Sequence, residues 1–94
     1  MIVFLSIWIV KRLITSEQIR AARALLKWSA DELAEKSGVG IATIRRFESV
    51  NGIPSGQLRI LNSLKITFEI AGIEFIGTPE DRPGVRFSAK LKDK

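Results

Sequence analysis

The sequence predicts a small, mainly α-helical domain of four to five helices that ends in a short β-hairpin. Two observations predict the helices: two helix-start motifs of the same type, and apolar residues that recur at helical spacing up to about residue 71. A third predicts the hairpin, because apolar and polar residues alternate in two short runs after residue 72. The chain has 94 residues, 46% of them hydrophobic, which suffices for one domain with one core.

Both helix-start motifs are capping boxes. Thr15 is followed three residues later by Gln18, and Ser29 is followed by Glu32. In such a box the hydroxyl accepts a hydrogen bond from the backbone N–H three residues on, and the longer side chain accepts one from the backbone N–H of the cap. The first box predicts a helix over about 16–27, and the second predicts a short helix that begins after Ser29.

A third helix and a longer fourth helix follow. Gly38 suits the left-handed backbone that ends a helix, and Ile44 and Phe47 predict the buried face of a helix over about 40–48. After a turn rich in helix breakers, the pattern predicts a helical segment over 55–71, either one helix or two with a bend. Its predicted inner face carries apolar residues: Leu58, Leu61, Leu64, Phe68 and Ala71.

The carboxy-terminal part changes to strand periodicity. Residues 73–76 and 85–87 alternate, and a loop with Pro79 and Pro83 joins them, which predicts a β-hairpin over 73–88 followed by a basic tail over 89–94. The edges of an isolated hairpin are unpaired. They favour pairing with a second copy or with the apolar amino terminus.

The first ten residues, MIVFLSIWIV, carry no charge and form an apolar extension over 1–13. A membrane helix needs about 20 apolar residues, and a signal peptide has its positive charge before the apolar run, so neither is predicted. Three alternatives stay open. The extension is a non-native addition or loosely held tail, or it packs on the domain or a second subunit, or it contacts a membrane surface.

The composition excludes several kinds of chemistry. The chain has no cysteine and no histidine, which removes disulfides, Cys/His zinc sites and nucleophiles that depend on histidine. We therefore expect no enzyme activity, no catalytic residues, no metal and no cofactor. The formal net charge of +5 and the pI of about 10.1 favour an anionic partner such as nucleic acid.

The two short helices on either side of Gly38 form the pattern of a helix-turn-helix unit, which lays its second helix in the major groove of DNA with the amino-terminal end first. The run over 19–48 resembles the Xre/Cro/C1 family of helix-turn-helix regulators, of the phage-repressor type. The resemblance is carried by the following residues: Ala21, Arg23, Leu25, Trp28, Ser29, Glu32 to Ala34, Ser37 to Val39, and Thr43 to Glu48.

The resemblance implies a lambda-repressor-like domain over 14–72 that binds double-stranded DNA in the cytoplasm as a homodimer and regulates transcription. Two alternatives stay open. One is the antitoxin of a toxin–antitoxin pair, whose partner is a toxin protein. The other is a protein-interaction module that keeps the fold but no longer binds DNA.

The resemblance also assigns candidate DNA-binding residues. Ala30 stands where the family commonly has a phosphate-contacting glutamine, so that the backbone N–H groups capped by Ser29 are left to meet a phosphate. The base-reading positions are occupied by Gly40, Ile41, Ala42 and Arg46. Thr43, Arg45 and Asn51 occupy or lie beside the positions at which the family contacts the DNA backbone.

For several of these residues a second interpretation stays open. Ile41 either contacts a thymine methyl group or belongs to the core or a dimer surface. Arg45 and Arg46 are expected to face outward, where each either contacts DNA, through a guanine or a phosphate, or only forms part of a solvated face. Arg23 and Glu48 match positions at which the family has a structural ion pair. Breaking that pair costs about 3–5 kcal/mol if it is buried and under about 1 kcal/mol if it is exposed.

Overall fold

The computed structural model describes residues 13–88, and the predictions for residues 1–12 and for the tail over 89–94 lie outside the described residues. The described chain is mainly helical and ends in a two-stranded antiparallel hairpin, as the sequence predicts. No helix in this part of the chain has the length and apolarity that a membrane crossing needs. The elements are α1 (Ser16–Leu26), α2 (Ala30–Ser37), α3 (Ile41–Glu48), α4 (Leu58–Ile70), β1 (Ile73–Thr78) and β2 (Asp81–Phe87).

Both predicted capping boxes are present. At the start of α1, the hydroxyl of Thr15 accepts a hydrogen bond from the N–H of Gln18 at 3.1 Å, and Oε1 of Gln18 accepts one from the N–H of Thr15 at 2.9 Å. Ser29 and Glu32 make the same reciprocal pair at the start of α2. The ends of the helices are less regular, because α1 ends at Lys27, a non-glycine residue with a left-handed φ of 59°.

One core lies between the four helices and the inner face of the hairpin. Every described element except β2 contributes at least one residue that is almost fully buried, and Val85 of β2 packs against the same cluster. Trp28 stacks on Phe68 with ring centroids 5.9 Å apart, and Phe75 meets Phe68 edge-on at 6.0 Å. The buried apolar residues are Ile14, Ile19, Ala22, Leu33, Val39, Ile44, Phe47, Leu61, Leu64, Phe68 and Ile73.

The fourth helix differs from the prediction at its start. It begins at Leu58, three residues after the predicted start, because Gly56 has a φ of +134°, which lies outside the helical region. The predicted inner face is correct for Leu61, Leu64 and Phe68 but wrong for Leu58, whose side chain is 49% exposed. Leu58 is the first residue of the helix, and its side chain does not belong to the buried core.

The strands of the hairpin are longer than predicted, and the predicted long loop is wrong. Thr78 pairs with Asp81, so only two residues connect β1 to β2. A bulge at Gly77 provides the tight bend. A β-carbon at Gly77 would lie 2.2 Å from the carbonyl oxygen of Arg82, so no larger residue fits this backbone.

The hairpin packs on the helices through a polar contact as well as through the core. The side-chain amide nitrogen of Gln18 donates hydrogen bonds to the carbonyl oxygens of Ile76, at 3.2 Å, and Gly84, at 2.8 Å. Each strand is therefore tied to the first turn of α1.

Candidate nucleic-acid interface

The helix-turn-helix unit consists of α2, a three-residue turn and α3. Helix α2 buries Leu33, and α3 buries Ile44 and Phe47, so the two helices share one core. The N–H of Gly38 donates to the carbonyl of Ala34 at 3.0 Å and ends α2 in a left-handed conformation, as predicted. This turn fixes the direction in which α3 leaves the domain.

The amino-terminal end of α3 is open to solvent. Gly40 is the N-cap, it makes no side-chain cap hydrogen bond, and a β-carbon placed on it would meet nothing within 4 Å. Ala42 is exposed, whereas Ile41 and Thr43 are half-buried. The end of the helix can therefore approach another molecule closely, while Ile41 takes part both in packing and in the exposed surface.

The two arginines of α3 are both exposed, as predicted from their spacing. The guanidinium carbon of Arg46 lies over the ring of Phe47, 5.3 Å from the ring centroid, so its charge interacts with the aromatic face. Arg45 makes no hydrogen bond or ion pair among the residues from 13 to 88. Both charges are available to an anionic ligand.

The remaining predicted contact residues lie outside α3, at the start of α2 and after the end of α3. Ser29 is exposed, and its side chain caps α2 rather than standing free. Ala30 is half-buried and packs against the core, and Asn51 is exposed in the connection between α3 and α4. Within the described range, no hydrogen bond or ion pair joins these residues to the predicted contact residues of α3.

An ion pair connects α1 to the end of α3. Nε of Arg23 lies 2.8 Å from Oε2 of Glu48, Nη2 lies 2.9 Å from Oε1, and Nη1 donates to the carbonyl of Trp28 at 2.9 Å. The side chains are 26% and 11% exposed. The hydrogen bonds to Glu48 raise the pKa of Arg23 above its ordinary value. The pair is thus largely buried and holds α3 in place by its carboxy-terminal end.

Two further contacts at this end were missed by the sequence analysis. Nη1 of Arg20 donates to the carbonyl of Glu48 at 2.5 Å, and the hydroxyl of Ser16, itself fully buried, donates to the carbonyl of Phe47 at 2.5 Å. They satisfy backbone carbonyls that the end of a helix leaves unpaired. A signal was available, since Ser16, Arg20 and Arg23 follow i, i+4, i+7 spacing and hence share one face of α1.

This geometry defines a DNA-binding helix-turn-helix domain: a short helix with an open amino-terminal end, exposed cations and a rigid scaffold behind it. Residues 19–58 match the family model described as helix-turn-helix. This part of the chain is thus a helix-turn-helix domain of the Cro/C1 type. The family is a DNA-binding one and is not typically enzymatic. No curated protein matches the chain.

Proposed function

We propose that the protein is a sequence-specific transcriptional regulator that places α3 in the major groove of double-stranded DNA. The observation that carries this proposal is the open end of α3, where Gly40 and Ala42 leave room for close approach and Arg45 and Arg46 are exposed. Base edges are read by hydrogen bonds and methyl contacts in the major groove, and phosphates by charge. The exposed surface of α3 offers both kinds of group.

The small and apolar residues at the amino-terminal end of α3 limit how well one subunit can discriminate between base sequences. Gly40, Ile41 and Ala42 offer no side-chain hydrogen bonds, so base discrimination rests on methyl contacts, on Thr43 and on an arginine. A good bidentate arginine–guanine pair contributes about 1–3 kcal/mol of discrimination. Selectivity would therefore depend on two subunits reading two half-sites.

A homodimer is part of the proposal. Ile66 and Ile70 lie four residues apart on α4 and are 45% and 80% exposed, so one face of this helix presents large apolar side chains to solvent. A two-fold dimer through this face would present two copies of α3 to one duplex. Half-sites for such readers lie about one helical turn, or multiples of it, apart.

The experiment that tests the DNA-binding function is a selection on random duplexes, followed by affinity measurements on the selected site across salt concentrations. Arg45→Ala and Arg46→Ala, combined, should weaken binding and lower the slope of log K against log salt by about 1 for each phosphate that the variant no longer neutralises. Arg82→Ala is the matched control, because it removes another exposed arginine, at the start of β2 and outside α3.

The outcomes distinguish this function from protein binding alone. If the wild-type chain enriches no sequence and binds duplexes with no salt dependence, the proposed function is wrong and a protein-interaction module is favoured. If the wild type binds but the double variant behaves like Arg82→Ala, α3 is not the reading helix.

A further inference from the structure

The outer edge of β2 carries backbone groups that point away from β1. The N–H of Ser88 donates to the carbonyl of Gly72 at 2.7 Å, which makes residues 72 and 88 a hydrogen-bonded pair in the register of the hairpin. Hydrogen-bonded and non-hydrogen-bonded pairs alternate along an antiparallel ladder. The N–H and C=O groups of Val85 and Phe87 therefore face outward.

This edge is unpaired within residues 13–88 and is partly apolar. No hydrogen bond from Val85 or Phe87 reaches another element of the described chain. The side chain of Phe87 is 48% exposed, although its cross-strand neighbour Ile73 is buried. Exposed strand edges with apolar side chains are normally covered, because they template pairing with another strand.

The first helix packs against this strand, and the chain that precedes the helix starts from there. Gln18, in the first turn of α1, donates a hydrogen bond to the carbonyl of Gly84 at 2.8 Å, and the described chain begins at Leu13, only five residues earlier. From Gly84 to Phe87 the strand advances roughly 10 Å, at about 3.3 Å per residue. A segment of residues 1–12 is long enough to reach along the whole edge.

The composition of this segment fits the edge. Residues 2–10 carry no charge and consist, except for one leucine and one serine, of isoleucine, valine, phenylalanine and tryptophan. These are β-branched and aromatic residue types, which pack well on a pleated, half-buried surface. Lys11 and Arg12 follow, so the apolar part is separated from α1 by two cations.

We propose that the outer edge of β2 is the docking surface for residues 2–10 of the same chain. The segment covers Phe87 and supplies hydrogen-bond partners to the outward backbone groups of Val85 and Phe87. This inference concerns the fold of the 94-residue chain and does not depend on DNA binding.

The two tryptophans of the chain allow a direct test. Trp28→Phe keeps an aromatic ring beside Phe68 and leaves Trp8 as the single tryptophan, within the segment itself. In this variant of the 94-residue chain the emission of Trp8 should be blue-shifted relative to a solvent-exposed indole, at every protein concentration. Adding Phe87→Glu should shift the emission to the red. Adding Ile53→Glu should not, because Ile53 is 40% exposed but lies in the connection before α4.

Hydrogen exchange gives a second measurement, which requires no substitution in β2. The amide hydrogens of Val85 and Phe87 should exchange slowly in the wild-type chain. Ile7→Asp combined with Ile9→Asp should speed their exchange at least tenfold, while the amides of Glu74 and Arg86, which face each other inside the hairpin, stay protected.

Three results would overturn the proposal. One is emission typical of a solvent-exposed indole at every concentration. Another is a blue shift that disappears on dilution, since the edge would then be covered by a second copy. The third is fast exchange of the Val85 and Phe87 amides in the wild-type chain.

Discussion

At the scale of single residues, Lys27 is one of two non-glycine residues between 13 and 88 with a left-handed φ, the other being Arg82. Lys27 ends α1 at a φ of 59°, and its N–H donates to the carbonyl of Ala24 at 3.1 Å. The left-handed region costs an L-residue about 1–2 kcal/mol, whereas glycine enters it freely. No sequence signal predicts this conformation, because lysine is an ordinary helix former. The residue that follows it, Trp28, stacks on Phe68.

Lys27→Gly should therefore stabilise the domain. We expect a gain of about 0.5–1 kcal/mol in the free energy of unfolding, since relief of the left-handed strain exceeds the greater flexibility of glycine in the unfolded chain. Glu35→Gly, at an exposed position inside α2, should instead lose about 1 kcal/mol. Urea unfolding followed by circular dichroism measures both. A loss of stability in Lys27→Gly would mean that the side chain contributes more than the backbone strain.

At the scale of elements, the starts of α1 and α2 could be predicted from the sequence, whereas the start of α4 and the length of the strands could not. A capping box is a local signal in which residues three apart satisfy each other, so Thr15 with Gln18 is sufficient to mark a helix start. The turn of the hairpin depends on contacts across strands. The bend in β1 requires glycine at position 77 because the carbonyl of Arg82 lies where a β-carbon would be, and no local pattern contains that information.

The contacts that hold α3 show the same division. The Arg23–Glu48 pair was expected from resemblance to a family, while the hydrogen bonds from Ser16 and Arg20 to carbonyls at the end of α3 depend on how α1 crosses α3. The exposed positions of α3 could be predicted from the sequence, because the outward positions on a short amphipathic helix follow from its period.

The ion pair between α1 and α3 gives a prediction for this scale. Glu48→Gln should lower the free energy of unfolding by about 2–3 kcal/mol, since Arg23 would keep its charge in a largely buried place without a carboxylate, and its remaining exposure reduces the loss below that of a fully buried pair. Thermal and urea unfolding measure the change.

Glu74→Gln is the matched control for this prediction. Glu74 pairs with Arg86 across the hairpin in the same bidentate manner, but both side chains are exposed, so the stability should hardly change. Equal losses in the two variants would show that the pair at α3 has no special structural role.

At the scale of the whole molecule, the distribution of charge along the chain determines how strongly the helical domain attracts DNA. The chain carries a net charge of +5, yet residues 15–72 hold only eight of its 15 basic residues together with six acidic ones. Three other basic residues lie beyond residue 88. The helical domain therefore has only a weak long-range field. Affinity for DNA should come mainly from the few cations that contact phosphates directly and from the joining of two subunits.

The dimer can be tested through α4. Ile66→Glu combined with Ile70→Glu should give a monomer in light scattering, and should weaken binding to a two-half-site duplex at least tenfold while leaving binding to a single half-site nearly unchanged. The matched control is Ile53→Glu, an exposed isoleucine outside α4. A wild-type chain that is monomeric at all working concentrations, both free and on DNA, would rule out this part of the proposal.

Gln18 has a consequence for which substitutions the chain can accept. A capping box works equally well with glutamate or glutamine, because only the side-chain oxygen is used there. In this chain the nitrogen of the same amide donates to the carbonyls of Ile76 and Gly84. Glutamate has no hydrogen to donate and would place a negative charge against two carbonyl oxygens. One residue thus links the first turn of the domain to its last two strands, so that these sequence-distant parts should form and unfold as a single cooperative unit.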